Sequence, residues 1–167
     1  MGYEEHKEKS PKSVSCAVLT ISDSRSEETD ESGKLIKERL SQNGHKVAAY
    51  SLLKNDAIAI KNRINELLSK DEVQVIITSG GTGVSHRDIT IETLFPMLEK
   101  KLDGFGELFR LLTFQEIGTA SVMSRAMAGV AKGKVIICIP GSLGAVTLAM
   151  DKLILFEIGH MVREATR

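Results

Sequence analysis

The sequence predicts an α/β fold of three layers, with helices on both faces of a mostly parallel central sheet. Two patterns carry that expectation. Short apolar runs rich in Val and Ile alternate with longer segments whose apolar residues recur every three or four positions. The runs are followed by polar or glycine-bearing segments: Ser22-Asp23, Lys54-Asn55-Asp56, Thr78–Asp88 and Pro140-Gly141-Ser142. In an open parallel sheet such segments collect beyond the carboxyl ends of the strands, where ligands bind.

The elements follow in order. Residues 1–12 are charged and polar without an apolar period, which predicts a mobile arm ahead of a single domain over residues 13–167. Val14–Ile21 is the first strand. A polar loop to Glu31 leads into a helix over Ser32–Gln42, which Asn43-Gly44 ends. Val47–Leu53 is the second strand. The helix after it, Asp56–Ser69, places Ile60, Ile64, Leu67 and Leu68 on one face. Val73–Thr78 is the third strand, and a helical region after Thr90 is kinked or ended at Phe95-Pro96. Gly104–Phe114 and Ala120–Ala128 are expected as short helices. Val135–Ile139 is apolar enough to be buried on both faces. The last helix, with Ser142 as its N-cap, carries Val146, Met150, Ile154, Ile158 and Val162 at helical spacing, and its methionines fill core.

Composition narrows the function. A chain of 167 residues fits one domain with a proper core. Lys plus Arg (22) equals Asp plus Glu (22), so no global field favours nucleic acid or an anionic membrane, and an anion must be caught locally. No signal peptide and no run of about 18 apolar residues stands out, so a cytoplasmic protein without a membrane partner is expected. Cys16 and Cys138 lie inside apolar runs and read as buried small hydrophobes, which fits a reducing compartment.

Thr78–Glu92 is the segment richest in chemistry. Gly80, Gly81 and Gly83 around Thr82 follow a buried strand and precede a helix, so the backbone can approach a ligand closely and offer amide donors to phosphate. A Walker A loop is excluded, because no Gly-Lys-Ser/Thr follows. The dinucleotide fingerprint fits poorly, with His86 at the third glycine position. Arg87 and Asp88 supply a cation for phosphate and a carboxylate for a metal; the plain alternative is a solvated surface pair.

Thr78-Ser-Gly-Gly-Thr-Gly-x-x-x-Arg87-Asp88-Ile-Thr90 resembles the signature of the MoaB/MogA family of molybdenum-cofactor biosynthesis proteins, to which the gephyrin G domain is related. Ser22-Asp23, Thr29-Asp30-Glu31-Ser32-Gly33, Gly104-Phe105-Gly106-Glu107, Ser124-Arg125 and Pro140-Gly141-Ser142 resemble further family elements in the same order, over roughly residues 14–165. The short length is most similar to MoaB.

The resemblance implies a MogA-like molybdopterin-binding fold and an adenylyltransferase that joins molybdopterin to the adenylyl group of ATP and releases pyrophosphate. Mg²⁺ is the cofactor it implies. It assigns catalytic roles to Asp56 and Asp88, both as Mg²⁺ ligands. Substrate or nucleotide binding falls to Ser22, Asp23, Ser32, Gly80, Gly81, Thr82, Gly83, Arg87, Glu107, Ser124, Arg125, Gly141 and Ser142. It also implies a homotrimer or homohexamer and hand-over to a metal-inserting molybdotransferase. Simpler roles stand beside these: Asp56 and Ser142 as helix caps, Glu107 as a favourable first-turn charge, Arg125 as a surface cation and His86 as loop surface. The chain departs from many relatives in having Asn55 rather than Pro before Asp56, Ile91 after Thr90, and Leu143 after Ser142. Two other functions remain open at this level: a molybdopterin carrier that does not adenylylate, and a different hydrolase or transferase, as in related domains that act on pyridine nucleotides.

Overall fold

Side chains on the central strands alternate between two apolar clusters, and that alternation sets the layers. Cys16, Val18, Val75, Ile77, Val135 and Ile137 face one cluster; Ala17, Leu19, Ile76, Ile136 and Cys138 face the other. Strands apolar on both faces must be covered on both.

The computed structural model describes residues 2–167. In chain order its regular elements are α1 (Tyr3–Glu8), β1 (Ser15–Ile21), α2 (Glu31–Gln42), β2 (Lys46–Leu53), α3 (Ala57–Leu68), β3 (Val75–Ser79), α4 (Thr90–Leu94), β4 (Lys100–Lys101), α5 (Asp103–Ile117), β5 (Met127–Ala131), β6 (Lys134–Ile139), α6 (Leu143–Ala149) and α7 (Leu155–Ala165). The sheet order is β2-β1-β3-β6-β5-β4. The first four strands are mutually parallel, and β5 and β4 add an antiparallel edge. Helices α2, α5, α6 and α7 contribute to the first cluster through Ile36, Phe109, Val146 and Ile158; α3 and α4 contribute to the second through Ile60, Ile64 and Leu94. The fold is therefore a three-layer α/β/α sandwich around a mostly parallel sheet, as the sequence predicts. Among the described residues no helix is long and apolar enough to cross a membrane.

Three elements differ from expectation. Tyr3–Glu8, expected within a mobile arm, is a helix against α7: the Tyr3 hydroxyl donates to Glu157 at 3.4 Å and Lys7 Nζ to the same carboxylate at 3.1 Å. Behind it, Gly159 lets the chain pass close, since a Cβ there would lie 2.4 Å from the Pro11 carbonyl oxygen. Ala120–Ala128, expected as a helix, instead comprises the end of a 3₁₀ segment, Gly118–Met123, and the start of β5. Lys132 and Gly133 are both at positive φ (50° and 70°) and join β5 to β6 as a two-residue hairpin. That turn pulls Met127–Ala131 into the sheet despite its helix-favouring Met and Ala. Finally, the last helix is continuous but contains a π turn at Met150–Ile154 between α6 and α7.

Burial pushes the thiols of Cys16 and Cys138 up to about 12, so both act as core atoms and neither as a nucleophile.

Asp30 is the one buried carboxylate of the α2 junction. It is 1% exposed, caps α2 by accepting the Gly33 amide at 2.9 Å, and accepts the Tyr50 hydroxyl at 2.6 Å. Burial pushes its carboxyl up, but the Thr20 and Tyr50 hydroxyls and the Gly33 amide together outweigh burial and hold it below the usual carboxylate value. The Tyr50 hydroxyl is raised, by burial and by that carboxylate. A depressed folded-state pKa contributes stability that is present above the unfolded-state value and lost as pH falls through the folded one. Asp30→Ala is thus expected to cost about 2–4 kcal/mol at neutral pH, from a lost cap and a lost charge-assisted hydrogen bond. Urea titrations of both proteins should show this gap narrowing below about pH 4, where the parent's carboxylate protonates.

Candidate functional site

The parallel strands β1 and β3 are neighbours, but their connections leave in opposite directions: β1 feeds β2 on one side, and β3 is joined by β6 on the other. Such a reversal opens a crevice beyond the carboxyl ends of the strands. Three backbone segments meet there. The Gly80 amide extends the ladder by donating to Ile139 O at 3.0 Å, and Gly80 has φ +97°. A Cβ on Gly80 would stand 2.2 Å from the Ile21 carbonyl oxygen, and one on Gly141 would stand 3.1 Å from Gly80 Cα. Glycine is required at this seam because backbone fills the space.

The loop is tied from behind. Thr90, fully buried, donates its hydroxyl to Gly80 O at 2.9 Å and its amide to Gly81 O at 2.9 Å. With those carbonyls held, the amides of the turn are the donors a ligand can meet. Asp88 receives the Ser85 amide (3.1 Å) and hydroxyl (2.7 Å) on one oxygen, Oδ2, which closes the loop beneath it.

The result is a cleft of about 540 Å³, within the range that takes small-molecule ligands. It gathers Ser22, Ser32, Gly80, Gly81, Thr82, Gly83, Asp88, Ser124, Gly141 and Ser142. Ser32 Oγ donates to Gly141 O at 2.6 Å, which joins the start of α2 to the end of β6. Ser142 both lines the cleft and caps α6, accepting the Ala145 amide at 3.3 Å. The sequence reading missed Arg25, Ser79 and Glu116, which also line it. The Ser79 hydroxyl is fully buried and, among the described residues, has no hydrogen-bond partner. Among the described residues Arg25 is the sole cation of the lining, against Asp88 and Glu116.

Five expected residues lie outside the cleft. Asp23 is a clamp: it accepts the Asn55 amide at 3.0 Å, the Asn55 side-chain amide at 3.2 Å and the Arg87 guanidinium at 2.8–2.9 Å. The Asn55 backbone amide foremost, then Arg87, hold its carboxyl below the usual range. Arg87 is therefore engaged with Asp23. Asp56 caps α3, accepting the Ala59 amide at 2.7 Å, and is exposed. Of its two sequence-level roles, the capping one is realised in the geometry. Glu107 and Arg125 line a separate cavity of about 360 Å³ together with Lys101 and Arg110, and Arg125 is paired with Glu92. Buried Asp30 and Thr90 support the site within motifs already visible in the sequence, and Asn55 follows β2. Glu116 carried no signal, because nothing in the pattern shows where α5 ends relative to the cleft. His86 is exposed on the loop.

Comparisons with known proteins identify the family. A family profile described as "Probable molybdopterin binding domain" matches residues 17–160. The chain is 46% identical to Molybdenum cofactor biosynthesis protein B of Bacillus cereus, over 100% of this chain and 99% of that protein. It is 47% identical to the protein of the same name from Halalkalibacterium halodurans, over 98% and 97% of the two chains. Among solved structures, a Molybdenum cofactor biosynthesis protein B superposes with a TM-score of 0.90 at 47% identity, covering 94% of this chain and 98% of that one. The tungsten cofactor synthesizing protein MoaB from Pyrococcus furiosus gives 0.85 at 36% identity, covering 94% and 99%. Matched by the profile over most of its length, and by relatives over nearly all of theirs, the chain belongs to the MoaB/MogA family of molybdenum-cofactor biosynthesis proteins.

Proposed function

We propose that the chain acts in molybdenum cofactor biosynthesis by adenylylating molybdopterin with Mg-ATP in the cleft between β1, β3 and β6. The observation that carries this reading is the meeting of the Gly80–Gly83 turn with Ser22 and Gly141-Ser142 in one cleft of nucleotide-scale volume. The terminal phosphate oxygen of molybdopterin attacks the α-phosphorus of ATP. The bond from that phosphorus to the bridging oxygen breaks, and pyrophosphate leaves with the electron pair. An oxyanion nucleophile needs no strong base, so positioning and charge neutralisation carry the acceleration.

Each group has a role in that scheme. The turn amides hold nucleotide phosphate, and Arg25 neutralises it. Ser22, Ser32, Ser124 and Ser142 supply hydroxyls around the reactants. Magnesium binds through one or two carboxylates plus substrate phosphates; of the two carboxylates that line the cleft, Asp88 and Glu116, Asp88 lies on the glycine loop and has an oxygen not taken by Ser85. The cation would supply neutralisation of charge on the phosphate oxygens. Asp56 stands outside this set, as the cap of α3.

A homo-oligomer is part of the reading. Leu108, Leu111, Phe114 and Ile117 repeat every third position along α5 and are each 50–57% exposed, and Val122 and Met123 extend the strip to the cleft's rim. An exposed apolar strip of this length suits a second copy of the chain.

A second reading, a molybdopterin carrier without adenylylation, is favoured by one observation: of Asp23, Asp56 and Asp88, only Asp88 lines the cleft.

Three outcomes are expected. With ATP, Mg²⁺ and molybdopterin the protein releases pyrophosphate; molybdopterin binding without release would establish the carrier reading instead. Asp88→Asn lowers turnover by roughly 10²-fold, the scale of losing one oriented electrostatic group, while Asp56→Asn stays within a few-fold because Asn also caps helices. Leu111→Glu, measured by light scattering coupled to size exclusion, shifts the assembly towards monomer; an unchanged mass would remove the α5 strip as the interface.

A further inference from the structure

Away from the cleft, α1 and α7 bring together a set of metal-ligating side chains that the proposed reaction does not use. His160 and Glu164 lie four residues apart on α7 and so share a face. His6 comes from α1 to meet them. One ligand atom from each of His6, His160 and Glu164 lies within 4.8 Å of the others. His6 Nδ1 is 3.0 Å from Glu164 Oε1, and the two imidazole rings cross at 75° with centroids 6.2 Å apart.

Two further features match a metal centre rather than a chance cluster. His160 Nδ1 is 3.1 Å from Glu157 Oε2, the carboxylate–histidine contact that fixes a ligand imidazole's tautomer and leaves its other nitrogen for a metal. Glu157 is itself held by Lys7. Second, His160 and Glu164 line a cavity of about 690 Å³, which gives an ion a path to the group. A cation already sits among these acceptors: the Arg163 guanidinium lies 2.9 Å from His6 Nδ1 and also contacts Glu164.

From this geometry we infer that His6, His160 and Glu164 form a site for one divalent ion of the zinc class, which displaces the Arg163 guanidinium and fastens α1 to α7. Two imidazoles and a carboxylate select zinc, cobalt or nickel over magnesium or calcium, which prefer all-oxygen sets. The ion completes its coordination with water from the cavity.

The test is calorimetric titration of the full untagged chain, freed of metal by a chelator, with Zn²⁺ alone. One ion per chain is expected, and saturating Mg²⁺ should not compete. Glu164→Gln, which preserves size and hydrogen bonding, and His160→Ala should each weaken binding at least tenfold. Arg163→Ala should tighten it. Thermal melts give a second readout: Zn²⁺ raises Tm of the parent but not of His6→Ala, whatever that substitution does to the metal-free protein. Absence of a stoichiometric Zn²⁺ site, or equal affinity in the parent and Glu164→Gln, would overturn the assignment and leave the cluster as an ion-pair network.

Discussion

The site depends on a seam where three strands end with no side chains between them. Ile21, Gly80 and Gly141 stack backbone on backbone, and a single Cβ at Gly80 would stand 2.2 Å from the Ile21 carbonyl oxygen. Because the seam is closed this tightly, the chain leaving β3 has one course: along the cleft wall, with its first carbonyls turned back onto Thr90. The same economy continues at Gly83, where a Cβ would meet Asp88 at 2.6 Å. The position of Asp88 in the cleft thus follows from the absence of a methyl group five residues earlier.

Around the seam, two carboxylates do the lacing that apolar packing cannot do at a sheet edge. Asp30 joins the start of α2 to Tyr50 on β2, and Asp23 joins the loops that follow β1, β2 and β3 through Asn55 and Arg87. One is buried and the other solvent-accessible, yet hydrogen-bond donors hold both ionised below the usual range. Loops carried on such hubs can present a ligand site with little reorganisation on binding.

How much of this was legible in the sequence depends on the distance over which each feature is decided. β1, β3, β6 and α3 were visible because an apolar strand buried on both faces, or an Asp before an amphipathic helix, is a local signal. The Gly80–Gly83 turn and the Pro140-Gly141-Ser142 turn, which line the cleft, were legible as strand-end turns for the same reason: both follow buried strands. α1 was not, because its partners Glu157 and Glu164 lie some 150 residues away and its own pattern is polar. β5 was missed because Met and Ala argued for helix while the Lys132-Gly133 turn and the β6 partner argued for strand, and tertiary pairing overrode propensity. The roles of Asp56, Glu107 and Arg125 could not be divided in advance, since a helix cap and a ligand contact use the same residue type at the same place in the chain.

The makeup of the cleft lining bears on how a ligand arrives as well as on how it is held. Amide dipoles act at hydrogen-bond range, well inside a Debye length of about 8–10 Å at physiological salt. With Arg25 as the sole cation of the lining among the described residues and a chain of zero formal net charge, the protein projects little field into solution. If the proposed polyanionic reactants bind here, they reach the site without electrostatic steering, at the slower rates of unguided encounter. On the proposed reaction, capture would change little with ionic strength, since short-range amide contacts carry more of it than the lining's net charge.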